Sequence, residues 1–295
     1  PFISYNLATC LLAFAFLGIG NTMLQVSLNP LLTNVVKGDA LTSSLTAGQV
    51  VKAVSSICGP FIAAFAAGTL GNWKYLFPIF ALVTLISAIW LMATHIEEQK
   101  SENNAASVAS VFGLLKDKTI LFLFLGIFFV VGVDVGVNTL SPKLLMERAG
   151  WAVENAGLAA SVYFFCKTAG AFIGAFALAK VNAVKYFRWN IVIAALALVL
   201  LFFVDGAVPM MILIGAIGLF SASVFSIVYA AAMQARPDKA NEISGLMITG
   251  VSGGAVIPPL MGAMTDMMGG QVGSIIVIGV CMLYLLWCSF RISES

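Results

Sequence analysis

The chain has 295 residues, 61% of them apolar and only 9% charged, with a mean hydropathy of +1.03. An ordinary soluble domain is about 25% charged, so this composition excludes a water-soluble enzyme or nucleic-acid binder. The net charge of +2 points to no polyanionic partner. What remains is an integral membrane protein whose immediate partner is the lipid bilayer.

A helix needs about 20 apolar residues to cross the hydrocarbon core. In chain order the sequence predicts nine such spans: 3–28, 45–68, 75–94, 119–141, 156–179, 189–204, 209–232, 243–265 and 272–290. Most are joined by turn signals, namely Lys37-Gly38-Asp39, Gly71-Asn72, Asp205-Gly206, Arg236-Pro237-Asp238 and Gly269-Gly270. Long helices with short connections predict an all-α antiparallel bundle. Such long apolar runs do not encode the alternating strands of a membrane barrel.

Lys and Arg set the orientation. With the first connection inside, Lys37, Lys100, Lys116, Lys118, Lys180, Lys185, Arg188, Arg236, Lys239 and Arg291 share that side. The other side carries Lys74, Lys143 and Arg148. This asymmetry predicts a cytoplasmic carboxyl terminus, as in a bacterial cytoplasmic membrane. The amino terminus falls outside, and Pro1 already lies within an apolar run. A natural protein longer at its amino end is therefore expected.

One connection is long and polar. Residues 95–118 include Glu97, Glu98, Lys100 and Glu102 and end in a short amphipathic stretch, Val108 to Leu115. Three spans precede it and six follow. The predicted organisation is three spans of an amino-terminal half (1–95), a central cytoplasmic loop (96–118) and a six-helix carboxyl-terminal half (119–295). Transporters built from two halves, each a pair of three-helix repeats, share this plan.

Several segments resemble one family. Gln25-Val26-Ser27-Leu28-Asn29-Pro30 resembles the (E/Q)-x-x-x-N-P element in the fourth span of the fucose–galactose–glucose symporters, a branch of the major facilitator superfamily. Leu45-Thr46 and Gln49, followed by Gly59-Pro60, are similar to that family's fifth span. Val131-Gly132-Val133-Asp134-Val135 resembles its seventh-span V-G-A-E-V element, with Asp in place of Glu. Gly218-Leu219-Phe220 and Gly253-Gly254-Ala255-Val256-Ile257-Pro258 resemble its tenth and eleventh spans. Departures are Lys52, where the family has Asn, and Lys167 and Ala175, where its eighth span has an aromatic residue and Arg. The resemblance begins at the fourth of twelve spans. It implies alternating access and uptake of a hexose-like sugar, commonly with a proton, by a major facilitator bundle of which nine helices are present.

The residues themselves mark a site. Ionisable groups at a helix centre cost about 2.5–3.5 kcal/mol to insert, and three lie inside spans: Lys52, Asp134 and Lys167. Lys52 is close enough to a span end to reach polar headgroups. Lys167 lies roughly 17 Å from either end at 1.5 Å per residue, so it needs a polar cavity or a partner. Asp134 is the visible candidate for proton coupling, with a salt bridge to a lysine as the alternative. Gln25 and Asn29 are four apart on one helix face. With Gln49, Lys52, Asn138, Lys167 and Tyr229 they make up the candidate substrate-binding set. Two lysines against one aspartate keep an anionic sugar acid or other organic acid open as the alternative substrate.

Pro30 and Pro258-Pro259 should loosen their helices. Gly170-x-x-x-Gly174 and Gly250-x-x-Gly253-Gly254 should let helices approach closely. Cys10, Cys58, Cys166, Cys281 and Cys288 fall in apolar stretches without metal-ligand spacing, and His95, the single histidine, lies at a predicted helix end. No metal and no cofactor are expected. The sequence contains no phosphate-binding loop motif for ATP and no Gly-x-Ser-x-Gly element of a hydrolase. The expected protein is a monomeric transporter, not an enzyme.

Overall fold

A computed structural model describes residues 5–36, 39–93 and 108–292. The predicted turn at Lys37-Gly38, His95 and most of the central loop lie outside these residues. The elements are helices: α1 (Leu7–Val35), α2 (Asp39–Thr69), α3 (Leu76–Ala93), α4 (Val108–Gly113), α5 (Lys118–Ala149), α6 (Val153–Ala156), α7 (Leu158–Leu178), α8 (Ala183–Phe203), α9 (Ala207–Ser221), α10 (Val224–Ala235), α11 (Ala240–Gly250), α12 (Gly253–Met268) and α13 (Val272–Arg291). Each predicted span falls on one helix or on two in sequence. Among the described residues, eight segments are long and apolar enough to cross a membrane. Helix α2 is not among those eight. It carries Ser43, Ser44, Thr46, Gln49, Lys52 and Ser55, which dilute its apolar character.

The helices outlast the apolar runs. The first predicted span stops at 28, yet α1 continues through Pro30 to Val35. The fourth stops at 141, yet α5 continues through Pro142 to Ala149. Hydropathy measures the lipid-facing length, whereas backbone hydrogen bonding carries a helix on into the interface. Two predicted spans are each split. The seventh is α9 and α10, parted at 222–223, and the eighth is α11 and α12, parted at 251–252. The double proline lies inside α12. The break falls before it, where Val251, Ser252 and Gly254 take i→i−3 bonds to Ile248, Thr249 and Val251.

The described residues form two compact units. The first holds 5–25 and 52–93. Its large apolar side chains stand exposed, Phe14, Trp90 and Met92 among them, and α3 buries none of its residues. Apolar surface of this kind suits lipid, not water. The second unit holds 26–36, 39–51 and 108–292.

Helix α5 is the axis of the second unit and packs against α7, α10, α12 and α13. Its buried face runs Ile120, Leu123, Ile127, Val130, Val133, Val137, Leu140, Leu144, at the three- and four-residue spacing of one helical stripe. Both ends of α5 are tied by charge. At its start Asp117 accepts from the Thr119 N–H and pairs with Arg236 at 3.1 Å. Those two contacts hold the Asp117 carboxyl below its ordinary pKa, the Thr119 N–H being the larger cause. At its end Glu147 accepts from the Gln271 N–H at 2.8 Å, at the start of α13. The neighbouring Arg148 donates to the Leu201 and Phe202 carbonyls at the end of α8, both at 3.1 Å. An anion at a helix start and a cation at a helix end complement the two dipoles.

The glycine pairs mark the closest crossings. A β-carbon on Gly253 would collide with the Phe128 backbone of α5, and one on Gly170 with the Leu219 backbone of α9. Backbone cannot step aside as a side chain can. Gly253→Ala is therefore expected to lower thermal stability by about 1–3 kcal/mol, the range for overpacking. Gly279→Ala, where a β-carbon meets nothing within 4 Å, is expected to leave stability equal or slightly raised. Thermal unfolding in detergent checks both, and equal losses would show that the Gly253 crossing yields freely.

Candidate substrate and coupling site

Asp134 sits midway along α5, next to the buried Val133. On α7, Tyr163 and Lys167 are four apart and share one face. They meet Asp134 from both sides. Lys167 Nζ lies 2.5 Å from Asp134 Oδ2. The Tyr163 hydroxyl donates to Asp134 Oδ1 at 2.8 Å. Tyr163 is fully buried, while the Lys167 and Asp134 side chains keep 25% and 18% exposure. Each carboxylate oxygen thus has its own donor, and the lysine has its counter-charge.

Asn138 lies one turn further along α5 on the Asp134 face. Its Oδ1 is buried and has no hydrogen-bond partner. Pro142 stands four residues on and lacks the N–H that would bond the Asn138 carbonyl. An unused amide oxygen beside a paired carboxylate is an acceptor for a hydroxyl.

A second polar cluster forms at the ends of α1, α10 and α11. The Tyr229 hydroxyl donates to Ser244 Oγ at 2.7 Å, with the Asn29 side chain close by. Ser244 Oγ donates in turn to the Val26 carbonyl at 3.0 Å. In a regular helix that carbonyl would accept from residue 30, but residue 30 is proline and has no N–H. Ser43 of α2 donates to the Ala175 carbonyl of α7 at 2.6 Å. Gln49 is half-buried in the same unit. Gln25 and Lys52 belong to the first unit, where Gln25 is half-buried and Lys52 exposed.

The structure thus brings Asp134 to Lys167, and Asn29 to Tyr229. Sequence reasoning missed Tyr163 and Ser244. Tyr163 carried a usable signal, lying four residues before an intramembrane lysine. Ser244 carried none. A cavity of about 240 Å³ lies elsewhere, between α5, α12 and α13, lined by Thr139, Lys143, Met261, Asp266, Gln271 and Ser274 among others. None of the candidate residues lines it.

Many membrane-crossing helices around a partly buried ion pair, with an unused polar acceptor one turn away, are the features of a multi-pass membrane transporter. The chain belongs to the Major Facilitator Superfamily, whose profile matches residues 1–156. This is a class of transporters and not of enzymes. A glucose/galactose transporter of Brucella abortus (strain 9-941) is 24% identical over 310 residues, covering 100% of this chain and 74% of that protein. Among solved structures, a crystal structure of the Major Facilitator Superfamily transporter FucP in the outward conformation superposes with a TM-score of 0.80 at 16% identity. It covers 92% of this chain and 73% of that one. A second structure, of the E. coli fucose:proton symporter FucP, gives 0.81 at 16% identity, over 92% and 74%. At that identity the likeness establishes the fold.

The ion pair predicts its own mutant behaviour. Breaking a fully buried pair costs roughly 3–5 kcal/mol because one charge is left uncompensated, and partial exposure makes this one cheaper. Lys167→Met should lower thermal stability, and adding Asp134→Asn should recover most of the loss. Stability changes that simply add would show the two residues to be uncoupled.

Proposed function

We propose that the protein carries a neutral, hexose-like sugar across the bacterial cytoplasmic membrane by alternating access, as a monomer coupled to a proton. The reading places the carboxyl terminus in the cytoplasm. It divides the chain into part of one half (1–95), a central loop (96–118) and a six-helix half (119–295). The observation that carries it is the unpaired, buried Asn138 Oδ1, one turn from Asp134. A sugar hydroxyl is a donor of the right strength and charge for that oxygen. The sugar named for the Brucella relative, and the proton named for the symporter of the same fold, support the same choice.

The anionic alternative is not favoured at this site. It rested on two intramembrane lysines against one aspartate, and Lys167 is paired with Asp134, so the excess charge falls on Lys52, which is exposed in the first unit. The Asp134–Lys167–Tyr163 group is instead suited to coupling. Protonating Asp134 removes the charge that holds Lys167. It also turns one carboxylate oxygen from acceptor to donor, so the contact which that oxygen accepts, from Lys167 or from Tyr163, must rearrange. A proton and a change of side-chain packing are then linked at one residue. Gln25, Gln49 and Lys52 complete the proposed substrate set from α1 and α2.

Two measurements test this. Asn138→Leu should weaken binding of glucose or galactose about three- to tenfold, the worth of one neutral hydrogen bond, and unchanged affinity would remove Asn138 from the site. Asp134→Asn keeps a carbonyl oxygen for Tyr163 or Lys167 but cannot take up a proton. It should abolish gradient-driven accumulation in proteoliposomes while labelled-sugar counterflow persists, because exchange moves no net proton. Full accumulation by Asp134→Asn would take the residue out of coupling.

A further inference from the structure

Helices α8 and α13 pack against each other, and the start of α8 meets the end of α13. Both ends lie at the membrane face that the basic connections mark as cytoplasmic. A helix start carries partial positive charge and favours acidic side chains. The first turn of α8 has none. It carries Lys185 instead, and Arg188 follows three residues on, along the same side of the helix. The backbone at this end is already satisfied, because Asn182 Oδ1 accepts from the Val184 and Lys185 N–H groups. The dipole of α8 therefore works against both cations.

Neither cation finds an anion on the protein. Among the described residues the ion pairs are Lys167–Asp134 and Arg236–Asp117, so Lys185, Arg188 and Arg291 have no carboxylate at ion-pair distance. The two arginines rest on aromatic rings of α13. Arg188 Cζ lies 4.9 Å from the centre of the Phe290 ring, and Arg291 Cζ lies 5.8 Å from that of Trp287. Trp287, Phe290 and Arg291 share one helix face at spacings of three and four. A ring holds a guanidinium in place but does not cancel its charge. Arg188 Nε is also buried without a hydrogen-bond partner. The surround is aromatic and open, with Trp189, Trp287 and Phe290 all exposed. Tryptophan with basic residues at a span end is the composition of the membrane interface.

We infer that Lys185, Arg188 and Arg291 hold the phosphodiester headgroup of an anionic phospholipid of the cytoplasmic leaflet, beside Trp189 and Trp287. A guanidinium offers phosphate oxygens a planar fork of donors. Basic pockets between helices on this side of a membrane suit anionic headgroups. A zwitterionic headgroup brings an ammonium of its own, which the neighbouring cations repel. The bound lipid supplies the negative charge that the start of α8 lacks and ties that end to α13. The site is separate from Asp134 and Asn138. It stands whether or not the transported solute is a sugar.

The test is native mass spectrometry of the full protein in detergent, with phosphatidylglycerol and phosphatidylethanolamine supplied at equal concentration. The unsubstituted protein should retain phosphatidylglycerol in preference. Arg188→Gln combined with Arg291→Gln should lower that preference about fivefold for each cation removed, the worth of one basic residue near an anionic surface. Arg188→Lys combined with Arg291→Lys keeps the charge and should keep most of the preference. Lys239→Gln removes an exposed cation from the same face but outside this cluster, and should change little. If the double glutamine variant does not fold, Lys185→Gln, at an exposed position, should show the fivefold loss by itself. Equal losses in Lys239→Gln and in the cluster variants mean diffuse attraction to the surface and overturn the site. So does an unsubstituted protein that retains both lipids alike. Inorganic phosphate, added as a competitor at millimolar concentration, should leave the bound phosphatidylglycerol in place. Its displacement by phosphate would make the free ion the occupant and overturn the lipid.

Discussion

Inside a bilayer no water is at hand to complete a hydrogen bond or solvate a charge. Every proline, helix break and ionisable side chain must find its partner within the protein. Most features of the six-helix region are answers to that constraint. Pro30 deprives the Val26 carbonyl of its N–H, and a serine from α11 supplies a donor. The last carbonyls of α8 receive Arg148, and the first free N–H of α13 receives Glu147. The break at 251–252 closes itself with short-range backbone bonds. Asp134 and Lys167 answer each other.

The last of these answers also limits what the protein can carry. A lysine alone in the span would draw an anion. A lysine already held by a carboxylate leaves the local charge near zero, and the remaining binding capacity is hydrogen-bonding capacity. Asn138 then stands out, because its Oδ1 is the kind of group the constraint normally forbids. An unpaired buried acceptor costs about 1–3 kcal/mol. A ligand hydroxyl that satisfies it recovers that cost on binding. Neutral charge with an unsatisfied acceptor describes a site for a polyol better than one for an acid.

The fold was largely legible in the sequence, and the site only in part. Nine apolar runs and the turn residues between them specify a bundle, because each signal is local. Gly269 illustrates this: predicted as a turn, it takes a left-handed conformation at φ 70° where α12 ends. Asp134 and Lys167 were legible because any charge in an apolar run is conspicuous. Their pairing was legible only as an alternative, since it depends on how α5 crosses α7, and that crossing is set by packing between residues far apart in the chain. Tyr163 reads as core, being a phenol in an apolar helix, although its place four residues before Lys167 was a usable signal. The helix breaks were misplaced for a related reason. Proline marks where a bond is missing, but tertiary donors decide whether the helix bends there or runs on. Pro30, Pro142, Pro258 and Pro259 all stay within helices.

The two polar clusters differ in kind. A charge pair midway along the span is strong and changes only when a proton or ligand intervenes. The cluster of Tyr229, Ser244 and the Val26 carbonyl consists of neutral bonds, each worth about 0.5–1.5 kcal/mol net. Had α1 been held to α11 by a buried ion pair, parting the two would have required separating charges in a medium with few means to solvate them. A proline that leaves a carbonyl without its helical N–H, and a serine that supplies a donor, hold two helices together without a charge.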